Sequence, residues 1–424
     1  MNYKKYLEFI RYALNPEGEM PEGMAEMDWE GFFQFADEQG IVGVMFQGVT
    51  HQIENGKWKI ENYGHTDSTD HTDLESGRPD YDLMLEWGYL AQVIEQQNKA
   101  VNVAAVKLLK GLKERGYDGC ILKGQGNSLM YPKPYRRTPG DIDVWVKRQN
   151  NDERQSNRLT GYFRQKDIRT EIKEIIGFVK EENPEARAVY HHIDGGEIGG
   201  VKVEVHYRPS FMNSPIYNRR LQRWFEEKAD EQFKHWVELP ATDDTDEHRA
   251  IDGHRICVPT GEFNVVYQLV HILRHLLQEG IGLRQIIDYY YLLRQSNDER
   301  QSNRLTGFFG QKNIRTEIGE TLWYLGLEKI AGAVMWVLSE VLGLEEKYLI
   351  APKKERLGRV LLAEILNGGN FGQYDLDNIK ADSQLKKNWQ RMKRDFRMMR
   401  YFPSECLWEP VFRVYHFLWR LRYN

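Results

Sequence analysis

Two aspartates, Asp141 and Asp143, stand two positions apart at the start of an apolar stretch. Neighbouring side chains of a β-strand point to opposite faces. The spacing therefore predicts that both carboxylates lie on one face while Ile142 and Val144 enter the core. Carboxylate oxygens are the ligands that Mg²⁺ prefers. The pair predicts a magnesium site at the edge of a strand, where a bound ion could assist the transfer of phosphorus-containing groups.

A glycine-rich segment, Leu122-Lys-Gly-Gln-Gly126, ends fourteen residues before Gly140 and its two aspartates. Glycine lets a backbone approach a ligand closely, because it has no side chain beyond the α-carbon. Residues 127–131 then predict a short helix that ends at Pro132, and its first N–H groups would face phosphate oxygens. The order of glycine turn, short helix and acidic strand indicates a site for a nucleoside triphosphate.

A third carboxylate is predicted from Val201-Lys-Val-Glu-Val-His206, which alternates apolar and polar residues as a strand does. The valines share the buried face, so Glu204 would lie on the face of the aspartates. His191 and His192 precede this strand across a glycine-rich turn, and one of them should face Glu204, either to assist proton transfer or as part of a plain polar face. The alternative interpretation is a surface hairpin with exposed acids.

Three other Asp-x-Asp pairs begin at Asp80, Asp244 and Asp375, but they lie in polar or turn-like surroundings. Only the pair at Asp141 opens an apolar strand after a glycine turn. We therefore assign the metal site to that pair.

These segments resemble the uncharacterised nucleotidyltransferases that are related to DNA polymerase beta and to the aminoglycoside nucleotidyltransferases. The resemblance runs from about Met27 to the C-terminus, and its motifs are Cys120-Ile-Leu-Lys-Gly-Gln-Gly-Asn127, Gly140-Asp-Ile-Asp143, Tyr190-His-His-Ile-Asp194, Val203-Glu-Val-His-Tyr-Arg-Pro209 and Gly282-Leu-Arg-Gln-Ile-Ile-Asp288. It implies an α+β fold, in which helical regions flank a polymerase beta-like core with a small mixed sheet. It also implies Mg²⁺-dependent transfer of a nucleoside monophosphate from an NTP, with ATP as the expected donor, to an unidentified hydroxyl acceptor.

The resemblance implies catalytic and metal-binding roles for Asp141, Asp143 and Glu204. We expect the nucleotide to be bound by Lys123, Gly124, Gly126, Asn127, Arg137 and Arg284. A guanidinium suits bidentate phosphate contact, which favours Arg137 and its neighbour Arg136 as phosphate clamps, with solvated loop charges as the alternative. Arg284 could instead pair with Asp288, four residues along a helix.

The sequence predicts three regions: a helical region over 1–100 with a polar insertion near 50–80, a nucleotidyltransferase core over 101–217 and a C-terminal helical domain over 218–424. Residues 149–172 recur at 295–318 with only four substitutions. Because unrelated sequence separates the copies, we interpret them as insertions at tolerant loop sites rather than as a solenoid. The alternative is a duplicated binding element.

The 424-residue chain has a formal net charge of −5, which does not favour a dedicated nucleic-acid-binding protein. Three widely separated cysteines predict neither a disulfide framework nor a zinc site, as in a cytoplasmic protein. No apolar run reaches membrane-spanning length. From Lys386 onward, ten Lys or Arg face three acids among many aromatics. This tail could bind RNA or a membrane surface, but packing onto its own domain is favoured.

Two rival functions remain open from the sequence. One is a non-catalytic member of the same fold that binds a nucleotide or a partner protein, because a fold does not fix an activity. The other is a toxin- or antitoxin-like module that acts on RNA, for which the basic tail is the support.

Overall fold

A computed structural model describes residues 3–58, 77–149, 161–240, 255–298, 312–369 and 384–424 of the chain. The strands are β1 (Tyr117–Ile121), β2 (Ile142–Arg148), β3 (His192–Ile198), β4 (Val201–His206), β5 (Trp236–Glu238) and β6 (Arg255–Cys257). The helices are α1 (Lys4–Leu14), α2 (Trp29–Glu38), α3 (Val42–Glu54), α4 (Tyr81–Glu114), α5 (Gln125–Ser128), α6 (Gly161–Glu182), α7 (Pro215–Gln232), α8 (Gly261–Gln278), α9 (Leu283–Asp298), α10 (Lys312–Tyr324), α11 (Glu328–Trp336), α12 (Glu355–Gly368), α13 (Gln384–Met398) and α14 (Pro403–Tyr423).

The main sheet has four strands in the order β1-β2-β4-β3. β2 and β4 are parallel, whereas β1–β2 and β3–β4 are antiparallel. A parallel pair needs a long crossover, and α6 lies in the connection between β2 and the β3–β4 hairpin. Val144 and Val205 are buried, as their alternation predicts. The prediction of an α+β fold with a small mixed sheet between helical regions is confirmed.

The long helix α4 leads directly into β1 and packs against it. Its apolar positions recur at helical spacing, and Trp87 and Ala105 are fully buried. Asp80 caps its N-terminus, since the Asp80 carboxylate accepts a hydrogen bond from the Leu83 N–H at 2.8 Å. This capping role accounts for one of the other Asp-x-Asp pairs. The pairs at 244 and 375 lie outside the described residues.

The N-terminal helices pack against α4 and also against the C-terminal region. The Trp87 indole N–H donates to the Val42 carbonyl at 2.9 Å. Far along the chain, Gln39 donates to the Ile365 carbonyl at 3.0 Å, and Arg11 donates to the Val341 carbonyl at 3.3 Å. The division into three domains therefore stays a prediction, because these contacts join its first and third regions.

The last part of each repeated segment is helical. Residues 161–172 of the first copy begin α6, and residues 312–318 of the second begin α10. The equivalent residues Ile172 and Ile318 are buried, with 1% and 3% of their surfaces exposed. Whether the copies are insertions at loop sites stays a prediction. Residues 150–160 and 299–311 lie outside the described residues, as does most of the predicted insertion near 50–80.

The basic, aromatic tail forms α13 and α14, and only part of it packs inward. Trp419 is buried, and Phe412 stacks on Phe211 with ring centroids 4.8 Å apart. The opposite face of α14 exposes Leu407, Trp408, Val411, Val414, Tyr415, Phe417, Leu418 and Leu421. The interpretation that the tail aromatics cover their own domain therefore holds for one face of α14 only.

A glycine separates α10 from α11: α10 ends before Gly326, whose positive φ of 72° closes the turn between the two helices. Among the described residues, no helix is long and apolar enough to cross a membrane. The cysteines at 120, 257 and 406 are free and buried.

Candidate active site

The two central strands bring two of the three predicted acids together. β2 and β4 run parallel, and their register pairs Asp143 with Glu204. Partners in register on neighbouring strands point to the same face, so the two carboxylates share one side of the sheet. Asp141 precedes the first residue of β2 and is exposed at its edge.

Basic groups fill the space beside these acids. The Lys123 ammonium nitrogen lies 2.8 Å from Oδ1 of Asp143, and Nε2 of His206 lies 3.0 Å from the same oxygen. His206 Nε2 is also 3.3 Å from Oε2 of Glu204. Lys123 lies two residues after the end of β1, in the glycine-rich segment. This position brings its ammonium group close to the acids of β2 and β4.

The charges of this cluster hold its acids ionised. Burial alone would raise the pKa of Asp143, but the charge of Lys123 and the hydrogen bond with His206 hold that pKa well below its usual range. At Glu204, burial raises the pKa, whereas the hydrogen bond with His206 lowers it. The pKa of Glu204 is lowered overall. In turn, the two carboxylates outweigh burial and raise the pKa of His206.

Asp141 differs from its neighbours. Although its side chain reaches solvent, the protein atoms around it and the negative charge of Asp143 raise the pKa of Asp141. The burial of Lys123 acts against its charge, but Asp143 raises the Lys123 pKa above its usual value. The lysine is therefore charged at neutral pH.

Two more histidines extend the cluster. His192 Nδ1 lies 3.3 Å from Oε2 of Glu204 and 3.2 Å from Nε2 of His191. Burial, together with the nearby His206, lowers the pKa of His192 to about 4, so this ring is neutral at neutral pH. Burial and Arg274 lower the pKa of His191 as well. His192 is the one of the two that contacts Glu204.

The glycine turn lies beside Asp141, but the helix after it is not where the sequence placed it. Gly124 has a φ of +51°, which side-chain-bearing residues rarely adopt, and a Cβ there would lie 3.4 Å from the Asp141 carbonyl oxygen. The helix α5 spans Gln125–Ser128 rather than residues 127–131. The prediction was wrong by two residues because Gly124, not Gly126, provides the turn.

Asn127 and Arg137 contact a different acid, Asp288. Arg137 binds both carboxylate oxygens, with Nε to Oδ1 at 2.7 Å and Nη2 to Oδ2 at 2.8 Å. Asn127 donates to Oδ2 at 3.0 Å, and the Tyr131 hydroxyl donates to Oδ1 at 2.6 Å. All four residues are buried. The guanidinium predicted to hold phosphate therefore holds a helix carboxylate.

Arg284 is buried beside this second cluster. Its Nη1 donates to the Thr138 carbonyl at 3.4 Å. Burial and the positive charge of Arg137 lower the pKa of Arg284 to about 10. A short segment, from Arg137 through Thr138 to the aspartates, connects Arg284 to the first cluster.

Two cavities elsewhere in the described structure do not coincide with the acids. One, of about 360 Å³, is lined by Lys329, Lys354, Glu355, Arg356, Leu357, Arg400 and Tyr401. The other, of about 440 Å³, is lined by Pro215, Ile216, Arg219, Arg220, Arg223 and Tyr324. We keep the acid cluster as the candidate site because the predicted carboxylates meet there. Lys123 and His206 fill the space between these carboxylates.

Among the described residues, two groups could hold a metal ion, and in each the ligand atoms lie within 4.8 Å of one another: Asp143, Glu204 and His206, and His191, His192 and His206. His206 was not among the predicted site residues. Its signal was present, since His206 alternates with Glu204 along β4 and so shares its face. Asp288 and Tyr131 were also missed, because no local pattern shows that they meet Arg137.

A nucleotidyltransferase is the class of protein that this acid-edged mixed sheet and its neighbouring glycine turn suggest. Residues 25–326 match the model of a family described as uncharacterised nucleotidyltransferase. Because the match covers more than half of the sequence, the chain belongs to this family, and the resemblance seen in the sequence is confirmed.

Other comparisons add less. A crystal structure of an antigenic nucleotidyltransferase-like protein from Paracoccidioides brasiliensis is 14% identical, with a TM-score of 0.28, over 62% of this chain and 97% of that one. We base no conclusion on a likeness with so low a TM-score and sequence identity. No curated protein matches the chain.

Proposed function

We propose that this protein transfers a nucleoside monophosphate from an NTP, with ATP as the expected donor, to a hydroxyl group of an acceptor. The oxygen of that hydroxyl forms a bond to the α-phosphorus, and the bond from this phosphorus to the bridging oxygen breaks. Pyrophosphate leaves, and the hydroxyl proton passes to solvent at the open side of Asp141. We propose the cytoplasm as the compartment, on the separation of the three cysteines.

The register of Asp143 with Glu204 is the observation that carries the proposal. It sets two carboxylates on one face, beside Asp141 and the Gly124 turn. Asp141, Asp143 and Glu204 are proposed to hold the ion, for which Mg²⁺ is the expectation from carboxylates alone. When bound, such an ion neutralises charge on the triphosphate and lowers the pKa of the attacking hydroxyl.

The chain's other residues support binding in different ways. The Lys123 ammonium lies at the acids, where it can neutralise phosphate oxygens of the NTP. Gly124 and Gly126 are proposed to let the backbone approach the leaving pyrophosphate. Arg284 remains a proposed contact to the nucleotide. Asn127 and Arg137, which already hold Asp288, are proposed to act by positioning this segment.

A second candidate is nucleotide binding without transfer. It is favoured by the contacts of Lys123 and His206 with Asp143, because both groups occupy an oxygen that a catalytic ion would need. The two candidates predict different behaviour. Transfer requires pyrophosphate release that depends on a divalent ion, whereas the second candidate requires binding alone.

The test is to incubate the full chain with each α-labelled NTP and a divalent ion, and to measure pyrophosphate. Extracts of small molecules, proteins and RNA serve as acceptor pools. We expect release with one NTP to fall by at least about 100-fold in Asp143→Asn, because removal of a charge at the reacting centre costs this much or more. Asp118→Asn, a carboxylate on β1 that bonds Gln149 at 2.8 Å, is the matched control.

Pyrophosphate release that survives Asp141→Asn with Asp143→Asn would refute the mechanism. NTP binding without a divalent ion and without release would favour the binding-only candidate. A salt-sensitive RNA complex that is lost when α14 is removed would favour the RNA-acting module.

A further inference from the structure

His206 contacts two carboxylates at once, as a histidine that shares a metal ion with them would. It is the last residue of β4, and only 2% of its surface is exposed. Its Nε2 faces Oδ1 of Asp143 at 3.0 Å and Oε2 of Glu204 at 3.3 Å. Its Nδ1 lies 3.4 Å from the Arg208 carbonyl oxygen. Metal-binding histidines commonly donate their other ring N–H to a backbone carbonyl in this way, which leaves a lone pair on the inward nitrogen.

The three inward atoms lie within 4.8 Å of one another, and the two separations from Nε2 suit one ion. Two donor atoms held at right angles about 2.1 Å from a metal are about 3.0 Å apart. The measured separations from Nε2 to the two carboxylate oxygens are 3.0 and 3.3 Å. A single Nε2 proton, by contrast, can be donated well to only one of these two oxygens.

The charge around these atoms also suits a divalent ion. Asp141, Asp143 and Glu204 carry three negative charges, and Lys123 carries one positive charge 2.8 Å from Asp143. The three carboxylates and the one ammonium group leave an excess of two negative charges, which a divalent ion would cancel.

We propose that Nε2 of His206, together with Asp143 and Glu204, binds one divalent first-row transition-metal ion of the Mn²⁺ type. Mg²⁺ prefers oxygen ligands throughout, whereas imidazole favours transition metals. The site therefore selects such an ion over Mg²⁺. This inference rests on the acid cluster of the proposed function and changes the ion expected there.

The test uses Mn²⁺ as the probe and the full chain without NTP or acceptor. Free Mn²⁺ is counted by its electron paramagnetic resonance signal, and pulsed measurements detect coupling of bound Mn²⁺ to ¹⁴N. We expect one bound ion per chain with ¹⁴N coupling from an imidazole. We also expect that Mg²⁺ displaces it only at a concentration at least about 10-fold higher than that of Mn²⁺.

The variant His206→Gln should weaken Mn²⁺ binding by about 10- to 100-fold and remove the ¹⁴N coupling. His235→Gln is the matched control, because His235 is another partly buried ring that bonds a backbone carbonyl, that of Val258 at 2.9 Å, outside the cluster. It should leave both signals unchanged. Circular dichroism checks folding, and if His206→Gln does not fold, the ¹⁴N coupling of the unmodified chain decides.

Three outcomes would overturn the inference: no bound Mn²⁺, bound Mn²⁺ without ¹⁴N coupling, or equal competition by Mg²⁺. The result is separate from the fate of the proposed function. If Mn²⁺ binds with ¹⁴N coupling while no NTP releases pyrophosphate, the ligand assignment stands and the transfer reaction does not.

Discussion

Asp143 and Asp288 are both buried aspartates that contact a cation, but their surroundings differ. Asp288 binds both hydrogen-bonding arms of Arg137 and also accepts from Tyr131 and Asn127. Asp143 uses one oxygen for two contacts, to the point charge of Lys123 and to His206. The difference teaches which acid is structural. A carboxylate held by a bidentate guanidinium and two further donors is saturated, whereas one held through a single oxygen can exchange its partner.

The positions of the two acids agree with this distinction. Asp288 lies on α9 and ties it to the segment around α5, so that its cluster joins the sheet region to the C-terminal helices. Asp143 is buried too, but it lies two residues from Asp141, which is exposed. We therefore expect changes at Asp288 to affect folding, and changes at Asp143 to affect chemistry.

The largest effect is expected from Arg137→Met. It leaves Asp288 buried without its bidentate partner, which should lower the free energy of unfolding by about 3–5 kcal/mol. Urea denaturation followed by circular dichroism measures it. The neighbouring Arg136→Met is the control, and it should cost clearly less, about 1 kcal/mol, because Arg136 is only partly buried and makes a single contact with Glu95 at 3.4 Å rather than a bidentate one. Equal losses in both variants would contradict the structural role of Asp288.

A smaller effect, of a different kind, is expected from Lys123→Met. The chain should stay folded, because His206 still contacts Asp143, but pyrophosphate release should fall by about 100-fold as the cation near the phosphates is lost. Initial rates and urea denaturation of the same preparation separate the two effects. Lys147→Met, on β2 and paired with Asp230 at 2.6 Å, is the control. If both lysine variants keep the full rate, the assignment of Lys123 to the site fails.

A third carboxylate sharpens the comparison, because Glu405 is held by backbone N–H groups of Asn213 and Ser214 rather than by a bidentate guanidinium. Burial raises the pKa of Glu405 from 4.5 to about 7. Between these values the folded chain keeps a proton that the unfolded chain has lost. Stability should therefore fall as the pH rises from 4.5 to 7 and level off above it.

The contribution of Glu405 to this slope is about 3 kcal/mol. Urea denaturation from pH 4.5 to pH 8 measures it, and the slope should be smaller by this amount in Glu405→Gln. Glu355→Gln, which removes a surface contact with Arg359 at 2.9 Å, should keep the full slope. A slope that persists unchanged in Glu405→Gln would show that another group titrates.

The smallest effect is expected from Tyr131→Phe. The variant removes one neutral donor from Asp288 and leaves Arg137 in place, so the loss should be about 1.5 kcal/mol, with an unchanged rate of pyrophosphate release. The neighbouring Tyr291→Phe is the control, because its hydroxyl donates only to the Leu14 carbonyl at 3.4 Å. A loss from Tyr291→Phe as large as that from Tyr131→Phe would mean that ring packing, not the bond to Asp288, is measured.

The sequence predicted the strands of the candidate site well because their signals are local. The alternation of Val201–His206 gave β4 and the face of Glu204, and the apolar run after Asp143 gave β2. The roles of Asp141, Asp143 and Glu204 remain predictions, because geometry alone does not measure chemistry.

The sequence did not show which partners the charged residues choose. Arg137 looks like a phosphate ligand when only its neighbours in sequence are seen, and its partner Asp288 lies 151 residues away. The helix at the end of each repeated segment was not predicted for a similar reason. Burial of Ile172 and Ile318 depends on the surfaces they meet, and a one-dimensional pattern does not contain those surfaces.

By itself, the sequence determined the family, the α+β class, the glycine turn and the strand faces that carry the acids. The family and the class follow from the resemblance of the motifs, whereas the strand faces follow from an alternation of two residues along the chain. Only the tertiary structure decided that Lys123 and His206 meet Asp143 and that Arg137 meets Asp288. The reason is physical. Buried charges must find partners, and the choice depends on which distant side chains the fold brings within hydrogen-bonding distance.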